Sequence, residues 1–280
     1  KLDEFGVQIK QFEGIQKPLA RMAGLAYIIN AARLHTIQSV DAGEKPAVPS
    51  AILKYHCTEM ARQCLLDAMD IHGGKAVMKG PKNYIASGYE SIPVAITVEG
   101  ANILTRNLMI FGQGATRSHP YVLEEMQLAS KDADDTVIED FDKVLFKHIG
   151  FSIRNGTRAF LLAITGSRIT MNPGHTNLGL YYAHLTRLSA AFALIADISM
   201  LSLQSKLKTM EMLSARLGDL LSDLYLASMV LKHSENDGCP DEDLPIVQWS
   251  LDYLVNHYNI SYSYSATLWK EKDSIEQRIT

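Results

Sequence analysis

Apolar residues recur along this chain at three- and four-residue intervals and almost nowhere at intervals of two. Ile15, Leu19, Met22, Ala26 and Ile29, with Arg33 after them, keep that spacing. It predicts a helix over residues 7–42, and no proline falls after Pro18 to break it. Gly43-Glu44-Lys45-Pro46 ends that helix, and Pro49-Ser50 opens a second one running to about Ile71. Its apolar face holds Ile52, Cys57, Met60, Cys64 and Met69, and Gly73-Gly74 is a strong stop. Residues 81–93 read as short helix or irregular chain, and Val94 to Val98 is the one stretch that could suit a strand. A further helix is expected from about Ala101 to Phe111, continued until Gly112-Gln113-Gly114. Beyond a hinge at Ser118-His119-Pro120, a short helix through Met126 leads to the acidic stretch Asp132-Ala133-Asp134-Asp135, which reads as a solvated linker. Phe141 to Gly166 predicts a helix, Asn172-Pro173-Gly174 a turn, and Leu178–Met210 and Met212–His233 two long amphipathic helices. A loop at Asn236–Pro240 and a last helix from Pro245 to about Tyr258 complete an all-α chain.

The punctuation divides the chain into a helical bundle over 1–118, a linker over 119–135 and a second helical domain over 136–280. That size suits one large or two ordinary domains. The net charge of −4 comes with no basic stripe, which argues against nucleic acid as a partner. The 3 cysteines, Cys57, Cys64 and Cys239, show no C-x-x-C spacing, so neither a disulfide framework nor a zinc site is expected. Reduced thiols suit a cytoplasmic setting. No secretory signal starts the chain, and the apolar run Leu188–Leu203 is interrupted by Asp197 and several serines. Lys1-Leu2-Asp3 stand at the start without an initiator Met, so the chain reads as a fragment.

The 9 histidines are scattered, with no H-E-x-x-H, and His175 and His184 are poorly spaced for ligation, so no metal is expected. No G-x-S-x-G elbow appears, and Gly112-Gln113-Gly114 follows a helix rather than a strand, as a terminator does. Two features remain. Gly73-Gly74 is either a plain C-cap or a place where backbone approaches a phosphate. Glu99 is either a glutamate stabilised by a helix N-terminus or a carboxylate sheltered by apolar neighbours and able to take a proton.

Order and spacing join these features. Phe5-Gly6 precedes Glu13-Gly14-Ile15-Gln16-Lys17-Pro18-Leu19-Ala20-Arg21-Met22; a second helix ends in Ile71-His72-Gly73-Gly74; then comes Val98-Glu99-Gly100-Ala101-Asn102-Ile103-Leu104-Thr105-Arg106. Over about residues 4–118 this resembles the C-terminal half of the acyl-CoA dehydrogenases, and the region after 135 resembles the extra helical domain of the bacterial long-chain enzymes of fatty-acid β-oxidation. The resemblance implies a four-helix bundle and α,β-dehydrogenation of a fatty acyl-CoA to the trans-2-enoyl-CoA. Glu99 would remove the α proton and the flavin of FAD would take the β hydrogen. The Glu99 N–H and a flavin ribityl hydroxyl would polarise the thioester carbonyl. An acyl chain laid beside Glu99, Gly100 and Val98 would make the carboxylate a stronger base. Gly73 and Gly74 would meet the FAD pyrophosphate, that of the neighbouring subunit, and Ala101 and Asn102 stand at family FAD contacts. Arg106 is expected in an ion pair.

The departures matter too. Leu2 and Asp3 stand where the family carries an arginine, Glu90-Ser91 replaces an Arg-Asp pair, and Ala101 replaces a threonine. The N-terminal helical and middle β domains are missing, so this piece alone is expected to bind FAD poorly and turn over little. The resemblance further implies an acceptor such as electron-transfer flavoprotein and a homo-oligomer. An acyl-CoA oxidase is a related alternative. A different reading is a non-catalytic helical module for oligomerisation or peripheral contact with the inner membrane, with Lys206, Lys208, Arg216 and Lys232 among apolar residues.

Overall fold

The computed structural model describes residues 3–4, 6–132, 134–167, 170, 177–203, 206–207 and 209–279, with side chains described to residue 266. Phe5, the turn Asn172-Pro173-Gly174, His175 and Lys208 lie outside the described residues.

The protein is all-α. A two-residue hairpin (Asp3–Glu4 with Val7–Gln8) and a 3-10 turn, Ile9–Gln11, lead into α1, Glu13–Asp41. Then come α2 (Ala47–His72), α3 (Gly74–Val77), α4 (Ala86–Thr97) and α5 (Asn102–Leu104). A π-helical stretch, Thr105–Gln113, is followed by α6 (Gly114–Ser118), α7 (Val122–Ala129), α8 (Asp135–Ile164), α9 (Gly179–Leu203), α10 (Glu211–Asn236) and α11 (Leu244–Ile279). Contacts divide the chain into two units that share α10 and α11: residues 1–105 with 226–255, and residues 106–225 with 256–280. The linker expected over 119–135 falls inside the second unit.

In the first unit α1 packs along α2 with the end of α10 and the start of α11. Its core holds Leu25, Ile28, Ile52, Leu226, Val247 and Leu251. Gly24 permits the closest approach, since a Cβ there would fall inside the indole of Trp249. Asp67, 2 % exposed, takes a bidentate pair from Arg21 at 2.7 and 2.5 Å, which holds its carboxyl below the usual range. Val94–Val98, the one stretch that could suit a strand, is instead the end of α4 and its C-cap. Asn83 Oδ1 starts that helix by accepting the N–H groups of Ile85 and Ala86, both at 2.9 Å, and Thr97 Oγ1 donates back to the Pro93 carbonyl at 2.8 Å.

In the second unit α8 packs on α9, and the core is built from Ile110, Phe111, Leu185, Leu213, Leu217 and Leu220. The helix expected over Ala101–Phe111 splits into α5 and the π-helical stretch. The wider π turn accompanies burial of three consecutive residues, Ile110, Phe111 and Gly112, which a regular α face does not give. Asp134 is no mere linker charge. Its Oδ1 caps α8 by accepting the Val137 N–H at 2.8 Å and the Thr136 hydroxyl at 2.6 Å. The last helix runs far past Tyr258, because no glycine or proline follows to stop it. Among the described residues one helix, α9, is long and apolar enough to cross a membrane by length and composition alone; it carries Asp197, bonded at both oxygens.

Candidate active site

The turn between α4 and α5 carries the predicted base. Val98 closes α4 with its N–H on the Val94 carbonyl at 3.0 Å. Glu99 then adopts φ +58° and Gly100 φ +98°, and Ala101 returns to extended backbone before Asn102 begins α5. Two successive positive φ values reverse the chain sharply. Glycine takes such a conformation freely, but a residue with a Cβ pays about 1 kcal/mol for it. Unusual backbone of this kind gathers at functional sites.

Glu99 itself is exposed. The expectation that this chain shelters the carboxylate is therefore not met: the turn projects outward, and Val94, Val98, Ile103 and Leu104 around it are exposed too. The result is a carboxylate set in an open apolar surface. Asn102, expected at an FAD contact, is by contrast 6 % exposed, and both ends of its side-chain amide are taken up by α2. Its Oδ1 accepts from Lys54 Nζ at 2.5 Å, and its Nδ2 donates to Thr58 Oγ1 at 2.9 Å and Glu59 Oε1 at 2.8 Å. Sequence reasoning passed over Lys54, Thr58 and Glu59. Their signal was a run of polar residues at i, i+4 and i+5 beside an otherwise apolar helix face.

Gly73 ends α2 with φ +55° and ψ −138°, a conformation that requires glycine. A Cβ on Gly73 or Gly74 would meet nothing within 4 Å, so the backbone here is open to approach. The loop behind it is well held. His72 Nδ1 donates to the Ala68 carbonyl at 2.8 Å, leaving Nε2 to accept from the Tyr84 hydroxyl at 2.6 Å. Asn83 Nδ2 donates to the carbonyls of Ala76 and Met78 at 2.7 and 2.8 Å. The diglycine and the Glu99 turn do not meet. One lies at the end of α2 and the other is tied to Lys54–Glu59, roughly 20 Å back along the helix axis.

The second unit holds three further groups. Arg106 makes the expected ion pair, a bidentate one to Asp219 at 2.8 and 2.6 Å. Asp223, buried and pushed up to about 6 by desolvation, is bonded at 2.8 Å to His257, which it raises in turn. His119, His148 and Asp197 offer ligand atoms within 4.8 Å of one another, a cluster the sequence reading did not foresee. Its hydrogen bonds describe a structural role. His119 Nδ1 accepts the N–H groups of Tyr121 and Val122 at 3.3 and 3.2 Å, so Nε2 carries the proton donated to Asp197 at 3.0 Å. A cation on Nε2 would need that proton moved to Nδ1, against two N–H groups. An apolar cavity of about 300 Å³ lies among Ile195, Leu213, Leu217, Leu220 and Tyr262; none of these side chains can take a proton from carbon.

Residues 116–263 match the family described as "Acyl-CoA dehydrogenase, C-terminal, bacterial type", and residues 1–111 match "Acyl-CoA dehydrogenase, C-terminal domain". Among solved structures, the fold is similar to an acyl-CoA dehydrogenase complexed with FAD from Bacillus anthracis, with a TM-score of 0.71 and 15% sequence identity. The similarity covers 94% of this chain and 44% of that one, so the chain spans under half the length of that structure.

Proposed function

This chain belongs to the acyl-CoA dehydrogenase family, and on that premise we propose that it supplies the proton-removing carboxylate and part of the cofactor seat of an FAD-dependent dehydrogenase acting on long-chain fatty acyl-CoA. The observation that carries the reading is the Glu99 turn: a carboxylate on left-handed backbone, standing in an exposed apolar surface. An acyl chain laid over Val98, Ile103 and Leu104 would cover Glu99 and remove it from water. A carboxylate so covered is a stronger base for the acidified hydrogen next to a thioester. Gly100 keeps the backbone beside the carboxylate uncluttered, and the Glu99 N–H can donate to the thioester oxygen as charge develops there.

The open backbone at Gly73-Gly74 fits a pyrophosphate. Because that element lies far along α2 from Glu99, the diglycine serves the site of a second copy, and the enzyme works as a homo-oligomer. FAD, when bound, supplies the acceptor for the β hydrogen, and electron-transfer flavoprotein the onward path. Anaerobic addition of long-chain acyl-CoA to the full-length flavoprotein tests this reading. Bleaching of the flavin absorbance with formation of the enoyl-CoA supports it, and an unchanged spectrum contradicts it. Oxygen consumption in place of electron-transfer flavoprotein reduction would make the protein an oxidase.

A second reading, an interaction role for the second unit, is favoured by α8. Phe146, Ile153, Phe160 and Ile164 lie along one side of that helix and each is 64–70% exposed. Such a stripe suits a helical partner. Arg216 does not suit a membrane contact, since it is 3.3 Å from Asp219 and its guanidinium lies over the Tyr264 ring.

A further inference from the structure

We propose that Asn102 is a positioning residue for the proton-removing carboxylate, locked to α2 by a hydrogen-bond pattern of matched polarity; this rests on the assignment of Glu99 as the base. Asn102 stands three residues after Glu99 and begins α5. Both ends of its amide are used. The oxygen accepts from the Lys54 ammonium, and the nitrogen donates to the Thr58 hydroxyl and the Glu59 carboxylate. A side chain of this length that accepts at one end and donates twice at the other must be an asparagine. A carboxylate at position 102 would face that of Glu59, and an aliphatic group would remove one hydrogen bond from each of the three partners.

The turn needs such a hold. Glu99 carries a Cβ yet adopts φ +58°, and Gly100 follows at φ +98°. Released, this backbone relaxes toward the right-handed region and swings the carboxylate to a new direction. Glu99 is exposed, so packing does not keep it in place. The turn is instead fixed at its two ends. On one side the Val98 N–H bonds the Val94 carbonyl at 3.0 Å; on the other Asn102 is tied to α2. Lys54, Thr58 and Glu59 thus act on the reaction through Asn102 without touching the substrate.

The test compares Asn102→Asp, Glu59→Gln and the double variant in the full-length, flavin-loaded enzyme. Asn102→Asp is expected to lower kcat on the order of 100-fold through misplacement, with flavin content and the KM for acyl-CoA unchanged. Glu59→Gln keeps an acceptor oxygen for Asn102 and stays near the wild-type rate. In the double variant the amide at 59 donates to the carboxylate at 102, which restores the lock with reversed polarity. The rate returns to within about threefold of Glu59→Gln, the coupling expected of two side chains in direct contact. Amide hydrogen exchange over residues 99–105 gives a readout without turnover: faster in Asn102→Asp, restored in the double variant. If Asn102→Asp does not fold, Lys54→Met, which removes the donor to Oδ1, carries both readouts.

Wild-type kcat and exchange in Asn102→Asp or Lys54→Met would overturn the proposal, as would a double variant no better than Asn102→Asp. Exchange that quickens and is rescued, in an enzyme whose Glu99→Gln variant keeps full rate, would sustain the lock and remove the base. Unaltered exchange beside an inactive Glu99→Gln variant would remove the lock alone.

Discussion

At the scale of single residues, backbone conformation says more than side-chain surroundings. Glu99 and Gly73 both sit at positive φ, but the two positions tolerate change differently. At Gly73 there is room for a Cβ and no conformation for it. Gly73→Ala should therefore cost about 1–3 kcal/mol of stability, measured by denaturant unfolding, although no atom stands in the way. Asp67 is the opposite case, since its geometry is ordinary and its charge decides. Replacing it with asparagine leaves Arg21 without its bidentate partner and should cost about 2 kcal/mol in the same measurement. The Arg106 pair was expected alongside the family resemblance, from the matched motif at Val98–Arg106. Its partner Asp219 was not legible, lying 113 residues away.

Among the elements, α1 and α2 were legible from three-to-four spacing, as were α9, α10 and the start of α11, although α10 is buried on most of its sides over 213–227. The errors fall where something other than periodicity rules. Val94 to Thr97 are β-branched or small, yet they continue a helix already started by the Asn83 cap. The acidic run before α8 looked like a linker because a cap and a charge cluster have the same composition. Close helix packing was likewise hidden, since a glycine inside a helix looks only like a weak spot. Gly24→Ala should cost about 1–3 kcal/mol by driving a methyl group into Trp249, seen as a lowered thermal midpoint. The exposed stripe on α8 makes its own prediction. Phe146→Ser together with Phe160→Ser should leave helix content unchanged and, if α8 binds a second copy, reduce the assembly size in sedimentation.

For the whole molecule, the buried ion pairs set a window of pH stability. Arg21 holds the Asp67 carboxyl below its ordinary range. Its contribution is therefore complete above the unfolded value near 4 and is lost as pH falls through the depressed folded value. Asp223 raises His257. That contribution needs Asp223 ionised, so it is present above about 6, where Asp223 loses its proton, and is lost as pH rises through the elevated folded value of His257. Thermal midpoints followed across pH should decline at both ends. His257→Gln should flatten the alkaline limb and Asp67→Asn the acid limb.

The candidate site was partly legible at this scale. Its residues and order could be read along the chain, but the openness of Glu99 could not. Shelter is a property of everything that covers a residue, and here the local sequence Ile96-Thr97-Val98 suggested cover that the fold turns away from it. The central claim is that Glu99, once covered by an acyl chain, takes a proton from the carbon next to a thioester. The most direct test is single-turnover flavin reduction by acyl-CoA in the full-length enzyme, wild type against Glu99→Gln, with flavin content measured beside it. The account predicts a loss of at least about 100-fold in the reduction rate with flavin still bound. Reduction of Glu99→Gln at the wild-type rate would contradict it.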